Sequence, residues 1–155
     1  MQKITPCLWF DTQAEEAANF YVSLLEDSAV TSIQHLDGTP SGDNVALVFF
    51  TLAGQEFMAI NGGPQFHFTE AVSFQISCKD QAEVDRLWSA VTGGGGEESQ
   101  CGWCKDRFGL SWQIIPERMG QILSDPDPER AGRAMQAMLK MRKIELDVLE
   151  TAANG

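Results

Sequence analysis

The sequence predicts an α+β fold made of two consecutive β-α-β-β-β modules followed by a C-terminal helical extension. The first observation is an internal repeat, because a shift of 68 residues lays Gln13-Ala14-Glu15 on Gln81-Ala82-Glu83, where a strand gives way to a helix in both copies. The second is that the copies end alike, since residues 54–61 overlay residues 109–116. The third is apolar and polar alternation on both sides of residues 106–109, which is typical of a hairpin whose turn ends in Gly.

The first module is expected to cover about residues 1–61. Residues 4–10 read as a strand, and Pro6 inside it favours an edge or a strand start. Asp11 or Thr12 can cap a helix, because small and apolar residues recur behind them at helical spacing. Three strands should follow, up to about Leu36 and then over residues 44–52 and 55–61, with a polar loop at residues 37–43.

The second module is expected over about residues 71–116, with a strand at 71–78, a helix capped by Asp80, a glycine connection at 93–96, and the hairpin. The C-terminal helices should cover about residues 117–151, including one long helix from residue 129 to about 149. Its apolar side could pack on its own sheet, cover a cleft or contact a second subunit. The whole chain, residues 1–155, is expected to be a single domain.

Charge and composition exclude several classes of partner. The chain has 22 acidic and 11 basic residues and a net charge of −11, which repels phosphate backbones and anionic lipid, so no nucleic-acid or membrane partner is expected. The N-terminus lacks a secretion signal and no apolar run approaches the length of a membrane span. We therefore expect a cytoplasmic protein with reduced thiols, whose four cysteines serve as small buried residues.

Strand parity separates a packing face from a candidate binding face. Leu8, Phe10, Phe57 and their counterparts in the second module are apolar and should face the helices. The opposite parity is mixed, which fits a concave wall open to solvent or ligand better than a dry core. Its members are Thr5, Cys7, Glu56, Met58, Ser73, Gln75, Ser77, Ser111 and Gln113. Gln113 is the most informative of these because it is a polar side chain within an apolar β-rich run.

Several short motifs resemble one known family. They are Ile4-Thr5-Pro6-x-Leu8-Trp9-Phe10, Asn61-Gly62-Gly63-Pro64-x-Phe66-x-Phe68, Ser73-Phe74 with Cys78, Gln100-Cys101-Gly102-Trp103, and Gly109-Leu110-Ser111-Trp112-Gln113-Ile114. Together with the paired modules they resemble the vicinal oxygen chelate superfamily, which has the glyoxalase/bleomycin-resistance fold. Within it the chain looks like the PhnB-like branch, often labelled 3-demethylubiquinone-9 3-methyltransferase.

The resemblance implies where a metal site would lie. Metal-dependent relatives place four ligands on the cleft face, and those positions correspond here to Thr5, Met58, Ser73 and Gln113. None is His or carboxylate, and neutral hydroxyl, thioether and amide groups poorly offset the dehydration of a divalent cation. No cofactor and no tightly bound metal are therefore expected. The resemblance also implies a homodimer.

The functional prediction is a protein that binds a small organic molecule in the cleft. Ligand-binding candidates are Thr5, Trp9, Met58, Ser73, Gln75, Trp103 and Gln113. The alternative is an enzyme, either of the glyoxalase/dioxygenase type or the methyltransferase that the family label implies, with Glu56 and His67 as candidate bases. Cys101 and Cys104 do not favour redox chemistry, because they lie on a predicted strand with side chains on opposite faces.

Overall fold

A computed structural model describes residues 2–39 and 45–155 of the chain. The chain divides into two compact units, Met1–Phe68 and Thr69–Gly155, and each is described below by itself. The predicted loop at residues 37–43 and the predicted strand residue Asn44 fall partly or wholly outside the described residues. The expectation of a single domain stays a prediction. Within the described ranges, no helix has the length and apolar character needed to cross a membrane.

The first unit is a β-α-β-β-β module, as predicted. Its elements are β1 (Cys7–Phe10), α1 (Ala14–Leu24), β2 (Ala29–Leu36), β3 (Val45–Leu52) and β4 (Gln55–Asn61). The sheet order is β1-β4-β3-β2, with β1 parallel to β4 and the other neighbours antiparallel. The predicted strand start at residue 4 is wrong. Strand pairing begins at Cys7 opposite Met58, because Pro6 has no N–H to donate and contributes only its carbonyl, which accepts from the Met58 N–H at 2.9 Å.

Helix α1 covers one face of the first sheet with a stripe of buried small and aromatic residues that includes Ala14, Ala17 and Tyr21. The predicted caps Asp11 and Thr12 are wrong, because the helix is preceded by Gln13, whose side chain makes no cap bond. Instead, Asn61 at the end of β4 accepts a hydrogen bond from the Ala14 N–H at 2.8 Å. Asn61, which is distant in sequence, thus accepts from a backbone N–H that no neighbouring side chain caps.

The second unit repeats the first module's topology. Its elements are β5 (Ser73–Cys78), α2 (Gln81–Thr92), β6 (Glu97–Glu98), β7 (Trp103–Lys105) and β8 (Ser111–Pro116), in the sheet order β5-β8-β7-β6. The first strand of each module therefore lies beside the last, which confirms the repeat. Strand β5 begins at Ser73 instead of residue 71, because its pairing with β8 starts at Ser73 opposite Ser111.

Local signals at α2 act as predicted. The Asp80 carboxylate accepts from the Glu83 N–H at 2.9 Å, and the Glu83 carboxylate accepts from the Lys79 N–H at 2.7 Å. This reciprocal arrangement resembles a capping box, except that Glu83 reaches back to the N–H of the residue before the cap. The helix ends at Gly93, whose N–H donates to the Ser89 carbonyl, so the glycine connection terminates a helix as expected.

The C-terminal extension contains three helices, α3 (Glu117–Leu123), α4 (Pro128–Met138) and α5 (Leu146–Asn154). The predicted start of α4 is confirmed, since Asp127 accepts from the Glu129 N–H and Pro128 occupies the first turn. The single long helix over residues 129–149 is wrong, because the chain leaves helical geometry after α4. The Gln81 side chain bonds both the Ile144 carbonyl (2.9 Å) and the Leu146 N–H (2.8 Å), and this tertiary contact holds the non-helical segment just before α5.

The extension packs on its own unit, which supports the first of the three alternatives left open by the sequence. Its core consists of Ile122, Ala134, Ile144, Leu149 and Ala153, with Ile115 of β8 against it. Met138 of α4 and Met141 of the following segment pack at the periphery of this cluster. The extension is thereby joined to the end of the second sheet.

Candidate functional site

The two faces of the second sheet differ in chemistry. Ile76, Trp112 and Ile114 are buried on the α2 side. Opposite them, the strand register places Gln113 of β8 directly between Gln75 of β5 and Trp103 of β7. Paired residues project to the same face of a sheet, so these side chains are neighbours. The structure therefore brings together, on one face, the predicted site residues Ser73, Gln75, Trp103 and Gln113.

Gln113 lies at the centre of this face, which we call the glutamine face. Its Nε2 donates to Ser73 Oγ at 2.9 Å, which fixes the direction of the amide. Gln113 Oε1 and the whole Gln75 amide have no protein partner among the described residues. Two adjacent amides therefore present free donors and acceptors beside the half-buried Trp103 ring.

Ser111 adds a hydroxyl that the sequence-based candidates did not include. It pairs with Ser73 and Lys105 in the register and is only 1 % exposed. Its Oγ is buried without a hydrogen-bond partner in the described part of the chain. A buried hydroxyl left unpaired costs free energy unless water or a ligand bonds it. Strand parity placed Ser111 on this face, but its burial could not be read from the sequence.

Charges beside the glutamine face are largely compensated. Lys105 forms an ion pair with Glu70. The hydrogen bond from Lys105 lowers the pKa of Glu70, and the same bond raises the pKa of Lys105, so both stay charged near neutral pH. Glu97, opposite Lys105 in the edge strand β6, is an exposed carboxylate on this side. Neutral polar groups therefore dominate the centre of the face, with charges at its margin.

A buried carboxylate holds the hairpin that carries Gln113. Asp106 is 2 % exposed, and its Oδ1 accepts from the N–H groups of Phe108 (2.9 Å) and Leu110 (3.0 Å). Its Oδ2 accepts from the Trp112 indole N–H at 2.9 Å. Gly109, with φ of +88°, completes the turn. The hairpin itself was predicted, but the sequence indicated only a polar turn residue at Asp106.

The turn that leads into Trp103 is tied to the C-terminal extension. Cys101 is not on a strand, contrary to prediction, because it adopts φ of +55° in a turn before β7. Its N–H donates to the Met141 carbonyl at 2.9 Å, and the Gly102 N–H donates to the Arg142 carbonyl at 2.8 Å. These two bonds explain the departure from strand geometry, since they hold the turn against the segment after α4.

The cysteines give no support to redox chemistry. All four thiols are free. Burial raises the pKa of Cys104 to about 12, which keeps that thiol protonated and weakly nucleophilic at neutral pH. The expectation that all four are buried is wrong for Cys7, which is exposed, and for Cys101, which is half-buried. Cys7 faces outward because it lies on the side of β1 away from α1.

The first sheet carries the remaining candidates. Met58 is half-buried between Cys7 of β1 and Phe49 of β3, and Trp9 lies two residues beyond Cys7 on the same face. Thr5 is exposed and precedes β1. Because the two sets of candidates lie in different compact units, a shared cleft between them stays a prediction.

The face of the first sheet that points away from α1 is more apolar than the residues of β1 and β4 alone would indicate. Leu47 and Phe49 of β3 are half-buried there, beside Ile60 and Met58 of β4. The mixed polar character predicted for both modules therefore holds for the second sheet and is wrong for most of the first. The apolar residues that strand β3 adds to this face account for the error, because the sequence does not reveal which residues of β4 they pair with.

The segment after β4 supports Trp9. The Trp9 indole N–H donates to the Gly63 carbonyl at 2.9 Å, and the Phe66 ring meets Trp9 edge-on with centroids 5.0 Å apart. A Cβ at Gly62 would lie 2.3 Å from the Trp9 ring, so this position accepts only glycine without movement. The Asn61-to-Phe68 motif is thus a structural support for the first strand.

Glu56 and His67 remain candidate bases only. Glu56 is exposed on β4, with its backbone groups bonded by the Gln2 side chain. His67 is exposed in the segment after β4. Neither side chain has a hydrogen-bond or ion-pair partner among the described residues, so neither is oriented for proton transfer.

The donor set does not fit a divalent metal. In the second unit, Ser73 and Gln113 bond each other through neutral groups, and in the first unit Thr5 and Met58 offer a hydroxyl and a thioether. No group of three or more His, Cys, Asp or Glu side chains is placed to hold an ion within residues 2–39 and 45–155. The side chains at these four positions are therefore neutral hydrogen-bonding or apolar groups.

Comparison with known proteins shows the family. Residues 2–115 match the family described as 3-demethylubiquinone-9 3-methyltransferase. A PhnB protein from Bacillus cereus with the same description is 35% identical, has a TM-score of 0.68, and is matched over 74% of this chain and 99% of its own. A protein from Pseudomonas aeruginosa shows 20% identity and a TM-score of 0.62, with 76% and 98% of the two chains covered.

A more distant match confirms the fold. The fosfomycin resistance protein FosX from Listeria monocytogenes is 16% identical with a TM-score of 0.53, over 80% of this chain and 98% of that one. No protein with a curated description matches the chain. The chain belongs to the family described as 3-demethylubiquinone-9 3-methyltransferase, the PhnB-like branch of the vicinal oxygen chelate superfamily.

Proposed function

We propose that the protein binds a small organic molecule on the glutamine face without a tightly held metal. The observation that carries this proposal is the row Gln75, Gln113 and Trp103, in which two adjacent amides with free donors and acceptors lie to one side of an indole ring. The unpartnered buried Ser111 hydroxyl supports it further, because a bound polar group would satisfy that atom.

The chemistry of the face favours a planar ligand with polar edges. An indole ring offers a flat apolar surface for stacking, while amide groups bond carbonyl, hydroxyl or amide substituents at the ring edge. Such a combination of apolar area and a few directed polar groups is usual in small-molecule sites. In the first unit, Thr5, Trp9 and Met58 remain ligand-binding candidates, with a hydroxyl, an indole ring and a thioether to offer.

The second candidate function is methyl transfer, which the family description favours. The glycine connection at residues 93–96 follows helix α2, whereas nucleotide-type cofactor loops precede a helix, so no cofactor motif supports this candidate. Calorimetric titration with S-adenosylmethionine separates the two candidates, since saturable binding of that compound would replace our proposal with the enzymatic one.

Gln113→Leu is expected to weaken ligand binding about tenfold, because two hydrogen bonds of the amide would be lost at similar side-chain volume. Quenching of tryptophan fluorescence by a panel of planar metabolites with amide, hydroxyl or carbonyl groups supplies the measurement. Gln136→Leu, the same change on an exposed position of α4, is the matched control and should leave binding unaltered. Equal affinity in the two variants, or no saturable quenching by any compound, would contradict the proposal.

We also propose a homodimer in the cytoplasm. The free thiols support a reducing compartment. Edge strand β2 supports self-association, because it has eight residues, none of them Asp, Glu, Lys or Arg, and is exposed along most of its length. Edge strands without charges readily pair with a second copy.

Ile33→Lys in this strand is expected to give a monomer by light scattering, and a wild-type mass of one 17.1 kDa chain would overturn the dimer.

A further inference from the structure

A groove of about 630 Å³ lies in the second unit where α2, β6 and the segment between α4 and α5 meet. Its volume falls within the range of small-molecule sites. Its apolar lining consists of Trp88, Ala137, Met141 and Val148. Val148 is 47% exposed, and it lies on a helix that buries Leu149 and Ala153.

The groove is separate from the glutamine face. Trp88 belongs to α2, which covers the side of the sheet that buries Ile76, Trp112 and Ile114. The glutamine face is the opposite side. The Trp88 indole N–H donates to Glu98 Oε1 at 2.8 Å, so the ring is fixed at the groove wall. A ligand in the groove would therefore leave the proposed cleft free.

Basic residues are concentrated at this groove although the chain is acidic. Residues 140–143 contain three of the 11 basic side chains, and all three line the groove. Lys140 has no carboxylate partner in the part of the chain that the structure describes. Arg142 is 72% exposed and reaches Glu98 through one contact of 3.4 Å, which a stronger acceptor could replace. Lys143 is paired with Asp85 at 2.8 Å.

The carboxylates at the groove restrict the charge of its ligand. Glu98 and Glu145 both line it. The hydrogen bond from the Trp88 indole, with a smaller contribution from Arg142, lowers the pKa of Glu98 against the opposing effect of desolvation, so Glu98 stays ionised at neutral pH. Glu145 has no side-chain partner among the described residues and would repel a second negative charge. One negative charge beside Lys140 and Arg142 is the charge that the groove accommodates best.

We propose that this groove is a second binding site, for an organic monoanion with an apolar body. The anionic group lies against Lys140 and Arg142, while the apolar body covers Met141, Ala137 and Val148. The charge–apolar combination distinguishes this site from the neutral amides of the glutamine face, so the inference stands without the proposed function.

The test uses 8-anilinonaphthalene-1-sulfonate, a fluorescent aromatic monoanion, as the probe. Saturable binding is expected, with affinity falling as salt is raised, because exposed charges are screened. The double variant Lys140→Glu/Arg142→Glu should weaken binding at least about tenfold. Arg118→Glu/Arg133→Glu is the matched control, since it reverses two charges on the same extension away from the lining of this groove, and should change affinity less than about twofold. The uncharged probe N-phenyl-1-naphthylamine should bind more weakly than the sulfonate.

Location is established by the four indole N–H signals in a ¹⁵N-correlated spectrum. The Trp88 signal, assigned by its loss in Trp88→Phe, should shift on addition of the sulfonate, whereas the Trp103 signal should not. No saturable binding, unchanged affinity in the double variant, or a shift at Trp103 without one at Trp88 would each overturn the second site. None of these outcomes bears on the Gln113→Leu experiment, so the two proposals fail independently.

Discussion

Asp106→Ala is expected to lower the free energy of unfolding by about 4 kcal/mol, because it removes a buried acceptor from three N–H donors. Two of those donors are backbone groups of the turn between β7 and β8, and the third is the Trp112 indole. Without the carboxylate, these groups lose their acceptor in a site that is almost closed to water. Equilibrium unfolding in urea, followed by tryptophan fluorescence, measures the change.

Two further variants separate the hydrogen bonds from general effects of removing a charge. Asp106→Asn keeps one acceptor oxygen and the side-chain volume, so its loss should be about 2 kcal/mol. Asp37→Ala removes an exposed carboxylate after β2 and should cost less than about 0.5 kcal/mol. A loss for Asp106→Ala no larger than that for Asp37→Ala would show that the buried carboxylate does not hold the hairpin.

Periodicity in the sequence was sufficient to predict most of the fold. The repeat, the order of elements and the capping of α2 by Asp80 all follow from spacing and local residue chemistry, and the structure confirms them. The predictions that were wrong concern features that depend on contacts between residues distant in sequence. Helix α4 ends at Met138, and Gln81 bonds the backbone at Ile144 and Leu146, where α5 begins, although no residue between positions 139 and 145 signals a break. Tertiary contacts override intrinsic helix propensity at such a point.

The candidate site was predictable to a similar degree. Alternation along a strand has a period of two, so parity alone placed Ser73, Gln75 and Gln113 on one face. Parity does not reveal pairing register or burial. The sequence therefore could not show that Ser111 is closed to solvent, or that Phe49 of β3 lies beside Met58 and makes the first sheet's open face apolar.

Gly102→Ala is expected to lower the free energy of unfolding by about 3 kcal/mol and to release the C-terminal extension from the second sheet. Gly102 has φ of +85°, a conformation that side chains disfavour by about 1 kcal/mol. A Cβ there would also lie 2.6 Å from Ile115 Cδ1 and 3.1 Å from both the Ile114 carbonyl oxygen and Ile144 Cγ1. Ile144 is fully buried, so its side chain cannot move aside without opening the extension's core.

Gly109→Ala provides the control, because Gly109 has nearly the same φ, +88°, and nothing lies within 4 Å of an added Cβ. Gly109→Ala should therefore lower the free energy of unfolding only by the cost of a positive φ, about 1 kcal/mol. The collision at Gly102 should break the Cys101–Met141 and Gly102–Arg142 backbone bonds, so limited proteolysis between residues 139 and 145 should accelerate in Gly102→Ala alone. Equal stability and equal cleavage rates in the two variants would mean that the turn before Trp103 is not fixed by the extension, and that the position of Trp103 beside Gln113 depends on the sheet alone.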